Sequence, residues 1–257
     1  MFGFLRRRRR RRIRERPFPE AWVAILRRNV GYYPFLPEAD RRELHGHVLV
    51  FLAEKRFEGC GGLAITDEIR VTVAAQACVL LLHRKTDCYP RPESILVYPH
   101  AYVAEGAQPG PGGLPIVGED VRLGESWQTG AVVLAWDDVQ QTVSGVHDGH
   151  NVVLHEFAHQ LDQEDGSADG APLLPSRSMY AVWARVLSEE YGRLQDDIDR
   201  HRRTLIDRYG ATNPAEFFAV ITEAFFEKPI PLRRRHPDLY NTLRDFYRQD
   251  PADLVSR

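Results

Sequence analysis

Residues 155–159 read His-Glu-Phe-Ala-His, and this pentapeptide constrains the chain more than any other part of it. Two histidines at i and i+4 of a helix stand one above the other on a single face. Both imidazoles then reach one Zn²⁺ at about 2.0–2.1 Å. Glu156 follows the first histidine directly, so it lies beside the metal and is placed to take a proton from an activated water. Leu154, Phe157, Ala158 and Leu161 recur at i, i+3, i+4 and i+7, which predicts an amphipathic helix here. The competing reading, two surface histidines flanking a salt-bridging glutamate, is weakened by that placement.

A catalytic zinc needs a third protein ligand and an open fourth position. Downstream carboxylates are many, and spacing alone does not choose among them. Asn213 followed by Pro214 is a helix start, with Asn as N-cap and Pro at the first helical position. The helix runs to about Glu227 and offers Glu216 and Glu223, two turns apart on one face. Phe217, Val220, Ile221 and Ala224 form its apolar face. Glu216 is also at N3 of this start, where a carboxylate can reach back to the N-cap N–H and serve only the helix. Asp162 lies seven residues beyond His155 on the same face. It is a candidate for the carboxylate that accepts the second N–H of a zinc-binding histidine, with a solvent-facing aspartate as the alternative. His147 and His150 lie just upstream and are further candidate metal ligands, but they sit in a Gly/Asp turn and read as loop histidines.

The rest of the chain predicts a helix-dominated α+β fold with a small sheet. Helices are expected over 18–29, 38–55, 67–83 with Thr66 as N-cap, 179–208 and 236–250, and strands over 95–98, 102–103 and 132–136. The strand 132–136 precedes the metal helix and could take an extended substrate along its edge. The net charge of −2 hides an asymmetry. Residues 1–16 carry nine arginines and one glutamate, a sum of +8, which leaves −10 for the remainder. The Arg6–Arg12 run has no apolar stretch after it, so it does not read as a secretory signal. It reads as a disordered basic tail that contacts anionic lipid or nucleic acid, or else as a merely solvated tail. The acidic remainder argues against a specific nucleic-acid site as the main function. A single domain is expected over 17–257, with a helical part to about 90 and a catalytic part beyond. Three cysteines without a CxxC pair point to a reducing compartment, hence the cytoplasm. No segment is long and apolar enough to span a bilayer.

The run VLHEFAHQLD at 153–162 and the run YGATNPAEFFAVITEAFF at 209–226 together resemble the bacterial Mlc titration factor A family of zinc peptidases. WDDV at 136–139 and FEGCGGLAITDEIRVTVAAQAC at 57–78 are similar to that family as well. The resemblance covers most of residues 20–250, and the arginine run lies outside its motifs. The second segment is also similar to the protease domain of anthrax lethal factor. By this resemblance Glu216 is the third zinc ligand, Tyr209 stabilises the tetrahedral intermediate, and Glu223 stands behind the ligands. The resemblance implies a zincin-like metallopeptidase domain with one zinc per chain. It further implies aminopeptidase-like hydrolysis of peptide substrates and a regulatory link to the glucose-system repressor Mlc or an equivalent. The rival reading is a non-catalytic regulator that binds and sequesters a transcriptional repressor.

Overall fold

The computed structural model describes residues 2–84, 88–90, 92–100, 108–109, 115–116, 130–143 and 149–256. The chain forms two compact units, Met1–Gly145 and Val146–Arg257. No helix among the described residues is long and apolar enough to cross a membrane.

The first unit packs helices with a small parallel sheet. Its helices are α1 (Phe2–Arg14), α2 (Glu20–Asn29), α3 (Glu38–Glu54) and α4 (Asp67–Val79). Residues 1–16, expected as a disordered tail, therefore hold a helix that docks on α3. Three contacts offset the cost of ordering a run of like charges. Ile13 is buried. The buried Arg10 guanidinium donates from Nε (2.9 and 3.1 Å) and one terminal nitrogen (2.6 Å) to the Glu54 carboxylate. The Arg14 stem lies on Gly46, where an added Cβ would stand 3.3 Å from Arg14 Cγ. Local composition carries no trace of a pairing 44 residues away.

Helix α4 starts as its sequence predicts, with the Thr66 hydroxyl accepting the Ile69 N–H at 3.3 Å. It ends at Val79 rather than His83, because the chain turns through Leu80–Leu82 and His83 takes φ 60°. Strands β1 (Arg56–Gly59) and β2 (Ser94–Tyr98) pair in parallel, Arg56 opposite Ser94, across the connection that contains α4. Short strands β3 (Gln108–Pro109) and β4 (Pro115–Ile116) form a separate antiparallel pair. Strand β5 (Ala131–Ala135) pairs in parallel with β2, so the order β1-β2-β5 leaves β5 at an edge among the described residues. It leads straight into α5 (Trp136–Val143). The strand expected at 102–103 lies outside the described residues.

The second unit is helical: α6 (Val152–Asp162), α7 (Arg177–Asp199), α8 (Pro214–Glu227), α9 (Pro229–Arg235), α10 (Pro237–Tyr247) and α11 (Pro251–Val255). Helix α8 is buried from Ala215 to Phe226 on every side, which matches its near-continuous apolar sequence. Trp183 of α7 meets Phe218 and Phe246 edge-on, with centroids 5.6 and 5.2 Å apart. The expected helix 179–208 stops at Asp199, where His201 takes φ 53°. That early stop frees Arg200–Asp207 to lead into the 3₁₀ turn Arg208–Ala211, which carries Tyr209. The expected helix 236–250 forms as α10, which ends at Tyr247 where Arg248 takes φ 55°, and α11 follows from Pro251.

Candidate metal centre

The centre is built where α6 packs on α8. Asn151 caps α6, its side-chain oxygen accepting the Leu154 N–H at 3.0 Å. The helix then holds His155 and His159 on one face with their Nε2 atoms 3.3 Å apart. Asn213 caps α8 in the same way, accepting the Glu216 N–H at 2.9 Å. The Glu216 carboxylate faces the imidazoles. Its Oε2 lies 3.0 Å from His155 Nε2 and 3.4 Å from His159 Nε2. Among the described residues these three side chains are the one group of histidine, cysteine and acidic residues whose ligand atoms converge as a metal requires.

The donor set fits a tetrahedral cation. Ligand atoms about 2.0–2.1 Å from a tetrahedral centre stand about 3.3 Å from one another, and the three separations are 3.0, 3.3 and 3.4 Å. Burial opposes charge on His155, yet Glu216 and Glu223 outweigh it and raise its pKa well above the ordinary value. Burial opposes charge on Glu216 too, yet His155 and His159 hold its carboxyl well below the usual range. Both shifts report the same contact, an imidazolium paired with a carboxylate.

Glu223 stands behind His155, with Oε1 2.7 Å from Nδ1. Its other oxygen accepts the Asn151 N–H at 2.6 Å. The Asn151 amide in turn donates to Glu227 at 2.9 Å. This arrangement orients the ring: Nδ1–H donates to Glu223, which turns Nε2 toward Glu216 and His159. Asp162 is fully buried and accepts the Gly170 N–H at 2.9 Å. Burial pushes its pKa up to about 6. Its described hydrogen bond therefore ties the following loop to α6, and Gly170 sits so close to α8 that a Cβ there would stand 2.4 Å from the Pro214 carbonyl oxygen.

Glu156 is half-buried beside the ligands. Burial raises its pKa, with Glu216 and Glu223 adding to the rise against the two histidines. Tyr209 packs near His155, with ring centroids 6.0 Å apart. Burial and then the charges of Glu216 and Glu156 raise its pKa, so the phenol keeps its proton. Asp207 caps this turn by accepting the Tyr209 N–H at 2.8 Å, and Tyr191 of α7 donates to the Ala211 carbonyl at 3.0 Å.

The structure thus brings together His155, Glu156, His159, Tyr209, Glu216 and Glu223, and sets Asp162 at the base of α6. The sequence reading missed three neighbours. His150, read as a loop histidine, lies 3.2 Å from Asp207 and 3.9 Å from Glu223. Asn151 and Asp207 are cap residues that also orient site carboxylates or the tyrosine turn. Asn151 stands immediately before the apolar periodicity of α6, the one local signal available. His147 lies outside the described residues.

The chain is 43% identical over 239 residues to an uncharacterized protein of Synechocystis sp., covering 92% of this chain and 86% of that one. It is 35% identical over 230 residues to Mlc titration factor A of Serratia proteamaculans, covering 87% of each. It is 32% identical over 232 residues to Mlc titration factor A of Yersinia pestis, covering 89% of this chain and 85% of that one. The profile of the glucose-regulated metallo-peptidase M90 family matches residues 4–248, and the chain belongs to that family.

Proposed function

We propose that the protein is a zinc-dependent peptidase that hydrolyses peptide bonds, aminopeptidase-like on small substrates, with His155, His159 and Glu216 as metal ligands. The observation that carries this reading is the convergence of those three ligand atoms with Glu156 on the same helical turn. Two imidazoles and one carboxylate leave a fourth tetrahedral position open, as catalytic rather than structural zinc requires. When bound, zinc supplies Lewis acidity, polarising a carbonyl and acidifying a water toward neutrality.

The chain's own residues do the rest. Glu156 accepts the proton of the attacking water at its carboxylate and delivers it to the leaving amine. Its place on the same helical turn as His155 and His159 sets it beside the metal position without making it a ligand. Tyr209, kept protonated, donates a hydrogen bond to the oxyanion as it develops. Glu223 and Asn151 hold His155 in one orientation, and Asp207 holds the turn that presents Tyr209.

The name of the relatives, Mlc titration factor A, favours a second role beside catalysis: binding of the repressor Mlc or an equivalent regulator in the cytoplasm. The test separates the two. Zinc content and turnover of chromogenic aminoacyl substrates are measured for wild type, for chelated protein and for Glu216→Gln. Peptidase function predicts about one zinc per chain and activity lost with the metal. Capture of a repressor by a protein that is inert with zinc bound would leave only the regulator.

A further inference from the structure

Helix α1 has two sides. One is spent on α3 through Arg10, Ile13 and the stem of Arg14. On the other, Arg8, Arg12 and Arg16 recur at four-residue spacing, and Leu5 and Arg9 run alongside them. Arg8, Arg9, Arg12 and Arg16 ring a cavity of about 400 Å³ between α1 and α3, with Ile13 and Ala53 also lining it and Leu5 at its rim. The four arginines are exposed, so their charges are held at the surface. Beyond them Phe4 is 70% exposed and Leu5 57% exposed, two large apolar side chains in line with a stripe of guanidinium groups.

We propose that this face of α1 docks on an anionic phospholipid surface. A lipid phosphate sits among Arg8, Arg9, Arg12 and Arg16, and Phe4 and Leu5 enter the boundary between headgroups and acyl chains. Guanidinium groups suit phosphate because they present paired donors in a plane. An arginine helix alone would serve a nucleic acid equally well. The exposed apolar pair distinguishes lipid, because a phosphodiester backbone offers nothing for those side chains to bury against, whereas a bilayer does. Charge and apolar insertion together are also what reversible anchoring needs, neither being sufficient alone. This inference is independent of the proposed peptidase chemistry.

The full-length protein is sedimented with vesicles of phosphatidylcholine alone and of phosphatidylcholine with phosphatidylglycerol. Inorganic phosphate and duplex DNA are the competing probes. Two variants are compared with wild type, the quadruple change of Arg8, Arg9, Arg12 and Arg16 to Gln and the double change Phe4→Ser with Leu5→Ser. All the altered side chains are exposed, and both variants keep Arg10, Ile13 and Arg14, so unfolding temperatures should match wild type. Wild type is expected on the anionic vesicles only. Each arginine near such a surface is worth about fivefold in affinity, so the quadruple variant should lose on the order of a hundredfold or more. The double variant should lose about tenfold while keeping its charge. Three results would overturn the proposal: no vesicle binding by wild type, binding indifferent to Phe4 and Leu5, or displacement by duplex DNA or inorganic phosphate as effective as by lipid.

Discussion

Glu216 and Glu223 stand two turns apart on α8 and address opposite nitrogens of one imidazole, Glu216 at Nε2 and Glu223 at Nδ1 of His155. Their substitutions should therefore differ in kind. Glu216→Gln removes a ligand and should abolish stoichiometric zinc. Glu223→Gln leaves three ligands and should weaken zinc about 10–100-fold, the usual effect of losing an outer partner. Zinc titration of both folded variants checks this, and the reverse order would exchange their roles. Tyr209→Phe should lower kcat by about 10²–10³ with little change in KM, because its hydroxyl acts only as charge develops. A pure KM effect in steady-state kinetics would make Tyr209 a substrate-positioning residue. The spacing of His155, Glu156 and His159 was legible in the sequence because one helical turn defines it. The choice between Glu216 and Glu223 was not, because both lie on one face and the decision depends on how α8 crosses α6. Glu216 was also readable as a cap. The cap bond turns out to use its backbone N–H, which leaves the carboxylate for the histidines.

At the scale of elements, two caps and one glycine hold the centre. Asn213→Ala should cost about 1 kcal/mol by exposing the start of α8. Gly170→Ala should cost about 2 kcal/mol or more, since Gly170 has φ 77° and faces the Pro214 carbonyl. Thermal unfolding of both variants measures this, and an unchanged Gly170→Ala protein would contradict the close approach. Helix α1 is the element whose composition misled most. Its arginines read as solvated, yet long apolar stems and one half-buried carboxylate partner suffice to dock it. Glu54 offers a pH test of that docking. Burial would raise its pKa, but the Arg10 hydrogen bonds and charge prevail and lower it. The folded value is thus depressed, so the contribution is complete above the usual carboxylate range and is lost as pH falls through the lowered value. The stability gap between wild type and Glu54→Gln should close on acidification. A gap that is constant with pH would mean that the pair contributes nothing.

At the scale of the whole molecule, the helix-dominated class was readable from periodicity, and the paired Pro and Asn starts located α8. Strand β1 was not readable, because it is four residues long and largely exposed, with no alternation to mark it. The end of α10 at Tyr247 was not readable, because Arg248 adopts a left-handed conformation without a glycine to announce it. Every residue assigned to the metal and to the chemistry lies in Val146–Arg257, so a chelator should lower the unfolding temperature by removing a ligand of that unit's native state.

The most direct test of zinc-dependent peptidase chemistry is turnover by Glu156→Gln protein whose zinc content is measured in the same sample. Glu156 lies beside the ligand set rather than in it, so zinc should remain near one per chain while hydrolysis falls by about 10²–10⁴. Wild-type turnover from a Glu156→Gln protein carrying one zinc would contradict the mechanism.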